Sequence, residues 1–283
     1  MDDNPHTQSG SYTYRDCPAV TELHATRTAA SMAGFFLPHL RPGMRVLDCG
    51  CGPGSITVGL AEHVAPGAVI GIDLDPTHIA LAQRRAAAAG RANVRFARAD
   101  IYTLPFPDAT FDAVFCQSLL SHLREPAQAL REIRRILQPA GLLGAREVDT
   151  EGMLIAPFAP ILLQVRDLWE QVVRHHGGNT RIGKQLSTLV RQAGFPHLAV
   201  SASYECFGAS GLPGQATPFQ MVKHWQMILE QSLRLGWISQ DTRAQIEAAW
   251  QEWRRHPDAF LAVPRWEVVG WSRDGASREE AKR

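Results

Sequence analysis

The 283-residue sequence lacks a charge excess of either sign, because 29 lysines and arginines balance 28 aspartates and glutamates. Proteins that coat nucleic acids or bind anionic membranes rely on a surplus of cations, so this balance argues against both classes. No apolar run approaches the roughly 18 residues of a membrane-spanning helix, and residues 1–10 lack the apolar core of a secretory signal. These absences predict a cytoplasmic protein with no nucleic-acid partner and no membrane span.

Paired metal ligands are also missing from the sequence. The five cysteines include no Cys-x-x-Cys pair and no Cys/His spacing typical of zinc ligands. Cys49 and Cys51 are therefore interpreted as buried, reduced thiols rather than members of a disulfide framework. The pair His175 and His176 has no carboxylate or cysteine partner at ligand spacing, so we expect a helix end there and predict no metal site.

Short apolar runs alternate with helical patterns through the first half of the chain. Strands are predicted at 44–47, 68–72, 93–97, 111–116 and 142–148. Helical patterns follow the first, second and fourth of these strands after short connections. This alternation favours a doubly wound parallel sheet covered by helices on both faces.

The pattern changes after residue 150. Helices are predicted at 154–175 and 184–193, strands at 198–206 and 266–271, and further helices between those two strands. The predicted fold is thus α/β, with a doubly wound, mostly parallel seven-stranded Rossmann-like sheet, amino-terminal helices and a helical cap near the carboxyl end. The expected divisions are an amino-terminal helical segment (1–42), a ligand-binding core (43–150) and a carboxyl-terminal half (151–283) that carries the cap at about 208–258.

All seven tryptophans lie in the second half, from Trp169 to Trp271. Core packing of a helical subregion is the favoured interpretation of this enrichment. The alternative is an aromatic cap over an apolar substrate pocket.

A glycine loop follows the first predicted strand. Gly50, Gly52 and Gly54 allow positive φ angles and close approach of a ligand to the backbone, but they do not identify that ligand. A dinucleotide loop would need Gly or Ala where Ser55 stands. The stretch 178–184 matches most of a phosphate-binding loop, but Gln185 replaces the magnesium-binding Ser/Thr, so we interpret that match as a coincidence.

Three aspartates stand at the ends of the first three predicted strands. Ligands of open parallel sheets bind beyond these ends, so Asp48, Asp73 and Asp100 are expected to meet one ligand. Carboxylates only accept hydrogen bonds, so Asp73 suits two ribose hydroxyls and Asp100 an exocyclic adenine amine. Asp48 suits a cationic amine. A positively charged nucleoside without phosphate meets these three demands, and S-adenosylmethionine is such a molecule.

Five segments, in order, resemble the motifs of class I S-adenosylmethionine-dependent methyltransferases. They are Val46-Leu47-Asp48-Cys49-Gly50-Cys51-Gly52-Pro53-Gly54, residues 71–76, 99–106 and 111–114, and the helix and turn at 131–141. Within that class the sequence is most similar to the small-molecule group that contains the ubiquinone and menaquinone biosynthesis methyltransferases. The resemblance implies the Rossmann-like methyltransferase fold, S-adenosylmethionine as cofactor and S-adenosylhomocysteine as product.

The resemblance also implies which residues bind the cofactor. The loop 48–54 would face its methionine part, Asp73 its ribose, Asp100 its adenine amine and the backbone of Ile101 its adenine ring. Gln117 would line the methionine side, and an amino-terminal segment would fold over the cofactor. The predicted cofactor-binding residues are Asp48, Gly50, Cys51, Gly52, Gly54, Asp73, Leu74, Asp100, Ile101, Gln117, Tyr14 and Arg27.

His122 is the candidate catalytic residue, because an imidazole accepts protons near neutral pH and this one follows the fourth strand. The alternative is a hydrogen-bonded histidine that anchors its loop. The predicted function is in-line transfer of a methyl group to a small, largely apolar molecule by a monomer or homodimer. The alternatives are a non-methylating or regulatory cofactor-binding protein of the same fold, and a protein methyltransferase.

Overall fold

The computed structural model describes residues 18–208 and 218–272. Within these ranges, eight strands form one open sheet in the order β3-β2-β1-β4-β5-β8-β6, with β7 paired to β8. The strands are β1 Val46–Cys49, β2 Val69–Asp73, β3 Val94–Arg98, β4 Phe111–Gln117, β5 Leu137–Val148, β6 Leu154–Ala156, β7 His197–Gly208 and β8 Phe260–Trp271. From β3 to β5 all neighbours are parallel, and β8 runs antiparallel to β5, β6 and β7. The predicted doubly wound, mostly parallel sheet is therefore confirmed.

Each of the seven predicted strands is present, and β6 is an eighth that the sequence did not reveal. The prediction of a helix over 154–175 is wrong at its start, because Leu154–Ala156 pairs with β8 and the helix begins only at Pro160. A three-residue strand is too short to show alternation, so its apolar residues merged with the helical pattern that follows.

The α-helices of the described residues flank this sheet. They are α1 Pro18–Ala25, α2 Ala29–Met32, α3 Ser55–Val64, α4 Pro76–Ala88, α5 Pro126–Ile136, α6 Pro160–His175, α7 Leu186–Gln192, α8 Pro218–Arg234 and α9 Gln240–Trp253. Asp75 caps the amino end of α4, because its Oδ1 accepts a 2.7 Å hydrogen bond from the Thr77 N–H, and Pro76 at the first helical position needs no hydrogen-bond partner.

Two apolar clusters cover the two faces of the sheet. One joins α2 and α3 to the sheet through residues such as Leu60, Val46 and Phe115. The other lies under α5 and α7 and includes Leu47 and Val114. Adjacent residues of β1 therefore belong to opposite clusters, which explains why Val46 and Leu47 are both apolar.

A third apolar cluster joins four helices above β7 and β8. It contains Leu23 of α1, Val165 of α6, Trp225 of α8 and Trp250 of α9. The helices α8 and α9 lie between β7 and β8 in the chain, where the sequence predicts the cap. We call α1, α6, α8 and α9 together the cap helices. The boundaries of the three predicted divisions of the chain stay a prediction.

Four tryptophans of the second half, at positions 169, 225, 250 and 253, are buried in this third cluster. Core packing accounts for Trp225, Trp250 and Trp253, whereas Trp169 also lines a cavity beneath the helices. Trp237 is 38% exposed and takes no part in that cluster.

Candidate functional site

A cavity opens at the carboxyl ends of β1, β2 and β4, and we call it the strand-end cavity. Gly50 and Gly52 form part of its wall with φ angles of 69° and 51°, which L-residues with side chains rarely adopt. A Cβ on Gly50 would lie 3.1 Å from the side chain of Leu119. The glycine loop therefore brings bare backbone to the cavity.

Most of the predicted site residues line this cavity together. They are Arg27, Asp48, Gly50, Cys51, Gly52, Asp73, Leu74, Ile101, Gln117 and His122. Tyr14 lies outside the described residues. Cys49 and Cys51 are buried and free, as the sequence predicts.

Gly54 and Asp100 do not line the cavity wall. Gly54 has a φ of 75°, and a Cβ there would lie 2.6 Å from the Cβ of Ala82, so this glycine lets α3 pack against α4. Asp100 accepts a 2.9 Å hydrogen bond from the Tyr102 N–H, while its neighbours Ala99 and Ile101 line the cavity. Their roles in cofactor binding stay predictions.

Asp73 connects the glycine loop to the start of α4. Its Oδ2 accepts a hydrogen bond from the Gly52 N–H at 2.9 Å, and its Oδ1 accepts one from the Asp75 N–H at 2.9 Å. His78 Nδ1 lies 3.5 Å from the same Oδ1. Each carboxylate oxygen keeps a further lone pair, so Asp73 can accept hydrogen bonds from hydroxyls of a ligand.

Asp48 is buried at the end of β1 and accepts a 2.6 Å hydrogen bond from Thr57 Oγ1. Burial raises the pKa of this carboxyl to about 7, the Thr57 hydrogen bond opposes the rise, and the Asp73 charge adds to it. A cation in the strand-end cavity would favour the ionised form.

The chemistry of the wall fits a positively charged nucleoside. Two carboxylates supply hydrogen-bond acceptors, bare glycine backbone permits close approach, and Ile72, Leu74 and Ile101 supply apolar contact area. A phosphate group would meet the carboxylates of Asp48 and Asp73, so the wall opposes it.

A second cavity adjoins the first beneath the cap helices, and we call it the cap cavity. Both cavities are lined by His24, Arg27, Ser118 and His122. The remaining walls of the cap cavity combine apolar and polar residues, namely Leu23, Ser121, Val148, Trp169, Thr180, Glu205, Phe207, His224, Val263 and Arg265. The four shared residues mark the boundary between the two cavities.

His122 ends a short 3-10 helix, Leu120–His122, that follows β4. Burial lowers its pKa to about 4, with Arg265, His176 and Arg27 adding to the shift. The imidazole is therefore neutral at physiological pH, and this low pKa makes it a weak base. Its place at the boundary fits a base, and the base role stays a prediction.

Glu147 of β5 holds the loop that carries His122. Its buried carboxylate accepts hydrogen bonds from the N–H groups of Leu119 at 2.8 Å, Leu120 at 2.7 Å and Ser121 at 3.3 Å. Arg146, the residue before Glu147 in β5, pairs with Glu267 of β8, with Nε and Oε1 3.1 Å apart.

Sequence reasoning did not find the polar residues of the cap cavity contributed by β7, α8 and β8. Glu205, His224 and Arg265 belong to segments far apart in the chain, and the Arg27–Glu205 pair spans 178 residues. No local spacing signals such a pair, because only the folded sheet and cap bring these segments together.

Within residues 18–208 and 218–272, no group of three or more His, Cys, Asp or Glu side chains is arranged to hold a metal ion. No helix of this part of the chain is long and apolar enough to cross a membrane.

Comparison with known proteins identifies the family. Residues 46–141 match a family model described as a methyltransferase domain. An uncharacterized methyltransferase of Schizosaccharomyces pombe is 31% identical over 255 residues, which cover 83% of this chain and 87% of that protein. The chain belongs to the class I S-adenosylmethionine-dependent methyltransferases. This confirms the predicted class, the enzyme assignment and S-adenosylmethionine as the cofactor of this methyltransferase.

Other relatives of the methyltransferase support the same family. A probable methyltransferase of Aspergillus luteorubrus is 28% identical and covers 93% of this chain and 98% of its own. A demethylmenaquinone methyltransferase of Lactiplantibacillus plantarum is 33% identical over 56% of this chain and 73% of its own.

Solved structures share the fold of the methyltransferase. The YcgJ protein of Bacillus subtilis has a TM-score of 0.57 at 19% identity, covering 89% of this chain and all of its own. A protein of Bacillus halodurans described as a putative methyltransferase has a TM-score of 0.57 at 16% identity, covering 84% of this chain and 99% of its own.

Proposed function

We propose that this methyltransferase transfers a methyl group from S-adenosylmethionine in the strand-end cavity to a small molecule in the cap cavity, by in-line displacement. The observation that carries the proposal is the shared boundary, because His24, Arg27, Ser118 and His122 line both cavities. When bound, the cofactor supplies a methyl group already activated by a positively charged sulfur. The remaining task of the chain is to orient the acceptor and exclude water.

The strand-end residues have separate tasks in this proposal. Asp73 would accept hydrogen bonds from the ribose hydroxyls, while Ile101 would contact the adenine ring. Asp48 and Gln117 would lie on the methionine side, where the ionised carboxyl of Asp48 favours a cation. Asp100 would accept a hydrogen bond from the adenine amine after its side chain turns towards the cavity.

His122 would take the proton of an acceptor that starts protonated, such as an alcohol or a phenol. Its imidazole is neutral at physiological pH, and its pKa of about 4 makes it a weak base, so the role rests on its place at the boundary of the two cavities. Glu147 keeps the loop in place by accepting its backbone N–H groups, so it acts as a positioning residue.

A small acceptor is favoured by the covering of the cap cavity. Trp169 of α6, Leu23 of α1 and His224 of α8 form part of its walls, so cap helices enclose the acceptor on several sides. Trp169, Phe207 and Val263 offer an apolar surface to the body of the molecule. The partial match to a demethylmenaquinone methyltransferase is a further argument for a small acceptor.

The experiment supplies S-adenosylmethionine with a deuterated methyl group to the enzyme and separately offers the small-molecule and protein fractions of a cell extract. We expect the label in a small molecule and not in protein, as detected by mass spectrometry. Asp73→Ala serves as the inactive control. Label found only in protein would establish the protein methyltransferase alternative, and cofactor binding without any labelled product would establish the regulatory alternative.

A further inference from the structure

The cap cavity contains a buried cluster in which two arginines share one carboxylate. Arg27 donates from Nε and Nη2 to Glu205 over 3.3 Å, and Arg265 donates from Nη2 to Glu205 Oε2 over 2.7 Å. The three side chains are each over nine-tenths buried and come from the segment after α1, from β7 and from β8. The fold thus brings two guanidinium groups to one wall of the cavity.

The charges of this wall do not balance. Arg27 and Arg265 carry one positive charge each, and Glu205 carries a single negative charge. The imidazoles of His24, His122 and His224 are neutral, since burial first and the arginines second lower their pKa values. One positive charge on the wall therefore has no counterpart among the described lining residues.

Charges behind the wall do not supply that counterpart. Arg146 forms an ion pair with Glu267, and Glu147 is engaged with the backbone of residues 119–121. Burial alone would raise the pKa of Glu205, yet Arg27, Arg265 and Arg146 hold it well below its usual range. The surroundings of Glu205 are therefore positively charged.

Hydrogen-bond donors are also left over on the wall. Arg265 Nε is buried and donates to no acceptor among the described residues, while its Nη1 donates to Ser118 Oγ over 3.2 Å. The Arg27 hydrogen bonds within the described ranges use Nε and Nη2, so Nη1 remains available. A buried donor without a partner is costly, and an anionic oxygen would satisfy it.

We propose that the cap cavity binds the methyl acceptor through a single negatively charged oxygen group held by Arg27 and Arg265. This inference rests on the proposed function, since it treats the cap cavity as the acceptor site. The apolar body of the acceptor packs against Trp169, Phe207 and Val263. A group with one negative charge matches the single surplus charge, whereas a neutral group leaves the surplus uncompensated.

The test uses benzoate and benzamide as probes, which match in shape and differ in charge. Their affinities are measured by calorimetry at neutral pH with the full chain and saturating S-adenosylhomocysteine. We expect benzoate to bind about tenfold more tightly than benzamide, which is the ratio of affinities that one additional charge-assisted hydrogen bond produces.

Two variants change the surplus charge in opposite directions. Arg265→Gln removes one positive charge, so the preference for benzoate should disappear. Glu205→Gln raises the surplus from one to two, so benzoate should bind more tightly than to the unaltered enzyme while benzamide is unaffected. General damage to the cavity would weaken binding in both variants, and the opposite signs separate this from the charge effect.

Equal or undetectable binding of benzoate and benzamide to the unaltered enzyme would overturn the inference. A loss of benzoate binding in Glu205→Gln would overturn it too, provided that this variant still binds S-adenosylhomocysteine. The affinity for S-adenosylhomocysteine alone tests the strand-end cavity separately. If it binds but the probes show no charge preference, the inference fails while the proposed function stands.

Discussion

Thr57 of α3 donates a 2.6 Å hydrogen bond to Asp48 at the end of β1, in the interior of the protein. Burial raises the pKa of the Asp48 carboxyl to about 7, and this hydrogen bond is the main influence that opposes the rise. The affinity for the cofactor should therefore depend on the protonation of one carboxyl.

We expect the affinity for S-adenosylmethionine to rise with pH up to about 7 and then to level off, because a cation favours ionised Asp48. Below that pH, binding should release a proton, which calorimetry in buffers of different ionisation enthalpy measures. Thr57→Val should move the midpoint of the profile to higher pH, since it removes the influence that lowers the pKa. Asp48→Asn should abolish the dependence, and an unchanged profile in Asp48→Asn would contradict the assignment.

The same carboxyl gives the stability of the protein without cofactor the opposite pH dependence, because its contribution to stability falls as the pH rises. Its native pKa of about 7 exceeds the unfolded value of 3.8, so the native state binds the proton more tightly. The contribution of Asp48 to the free energy of unfolding is fully present below about pH 4. It is lost as the pH rises to 7. Urea unfolding of the unaltered enzyme across this range should show this contribution to the free energy of unfolding shrinking towards neutral pH. Asp48→Asn should not show that loss.

Asp73→Asn should weaken binding of S-adenosylhomocysteine by about 10- to 100-fold, the range for hydrogen bonds to a charged group. The amide keeps one acceptor oxygen but replaces the other with a donor, so it cannot serve Gly52, Asp75 and a ribose together. Asp112→Asn is the matched control, since Asp112 accepts from the Arg45 N–H at the amino end of β4. Calorimetry measures both affinities, and equal losses would refute the ribose role.

Glu147→Gln should lower the free energy of unfolding by about 2 kcal/mol. The NH₂ group of the glutamine would face a backbone N–H of the loop, and a donor cannot accept that hydrogen bond. Glu151→Gln is an appropriate comparison, since that side chain is partly exposed. Urea unfolding gives both values. If Glu147→Gln were no more destabilising than Glu151→Gln, the carboxylate would not hold the loop.

His122→Gln should lower the rate of methyl transfer by about 100-fold or more while leaving the affinity for S-adenosylhomocysteine unchanged. Because the His122 pKa is about 4, the rate in the unaltered enzyme should not fall between pH 8 and pH 6 through this group. Single-turnover rates with the identified acceptor provide the measurement, with exposed His63→Gln as the control. A parallel loss of rate and affinity would make His122 an anchor of its loop instead.

The doubly wound, mostly parallel sheet and the meeting of Asp48 with Asp73 were predictable from the sequence, because strand ends of a parallel sheet face one edge. The position of Asp100 relative to the cavity was not, since the turn after β3 decides where that side chain points. The Arg27–Glu205 contact was also beyond prediction, because it depends on how the segment after α1 lies against β7. Periodicity predicts elements, whereas contacts between distant elements come from packing.

The amino-terminal helix α1 packs in the same cluster as α6, α8 and α9, and His24 and Arg27 from this region line the cap cavity. If the cap cavity is the acceptor site as proposed, α1 and the segment after it help to select the acceptor together with α8. A chimera that grafts only the α8–α9 segment of a relative onto this chain would then combine parts of two different acceptor sites. Under this proposal, changing the acceptor requires exchanging α1, the segment after it and α8–α9 together.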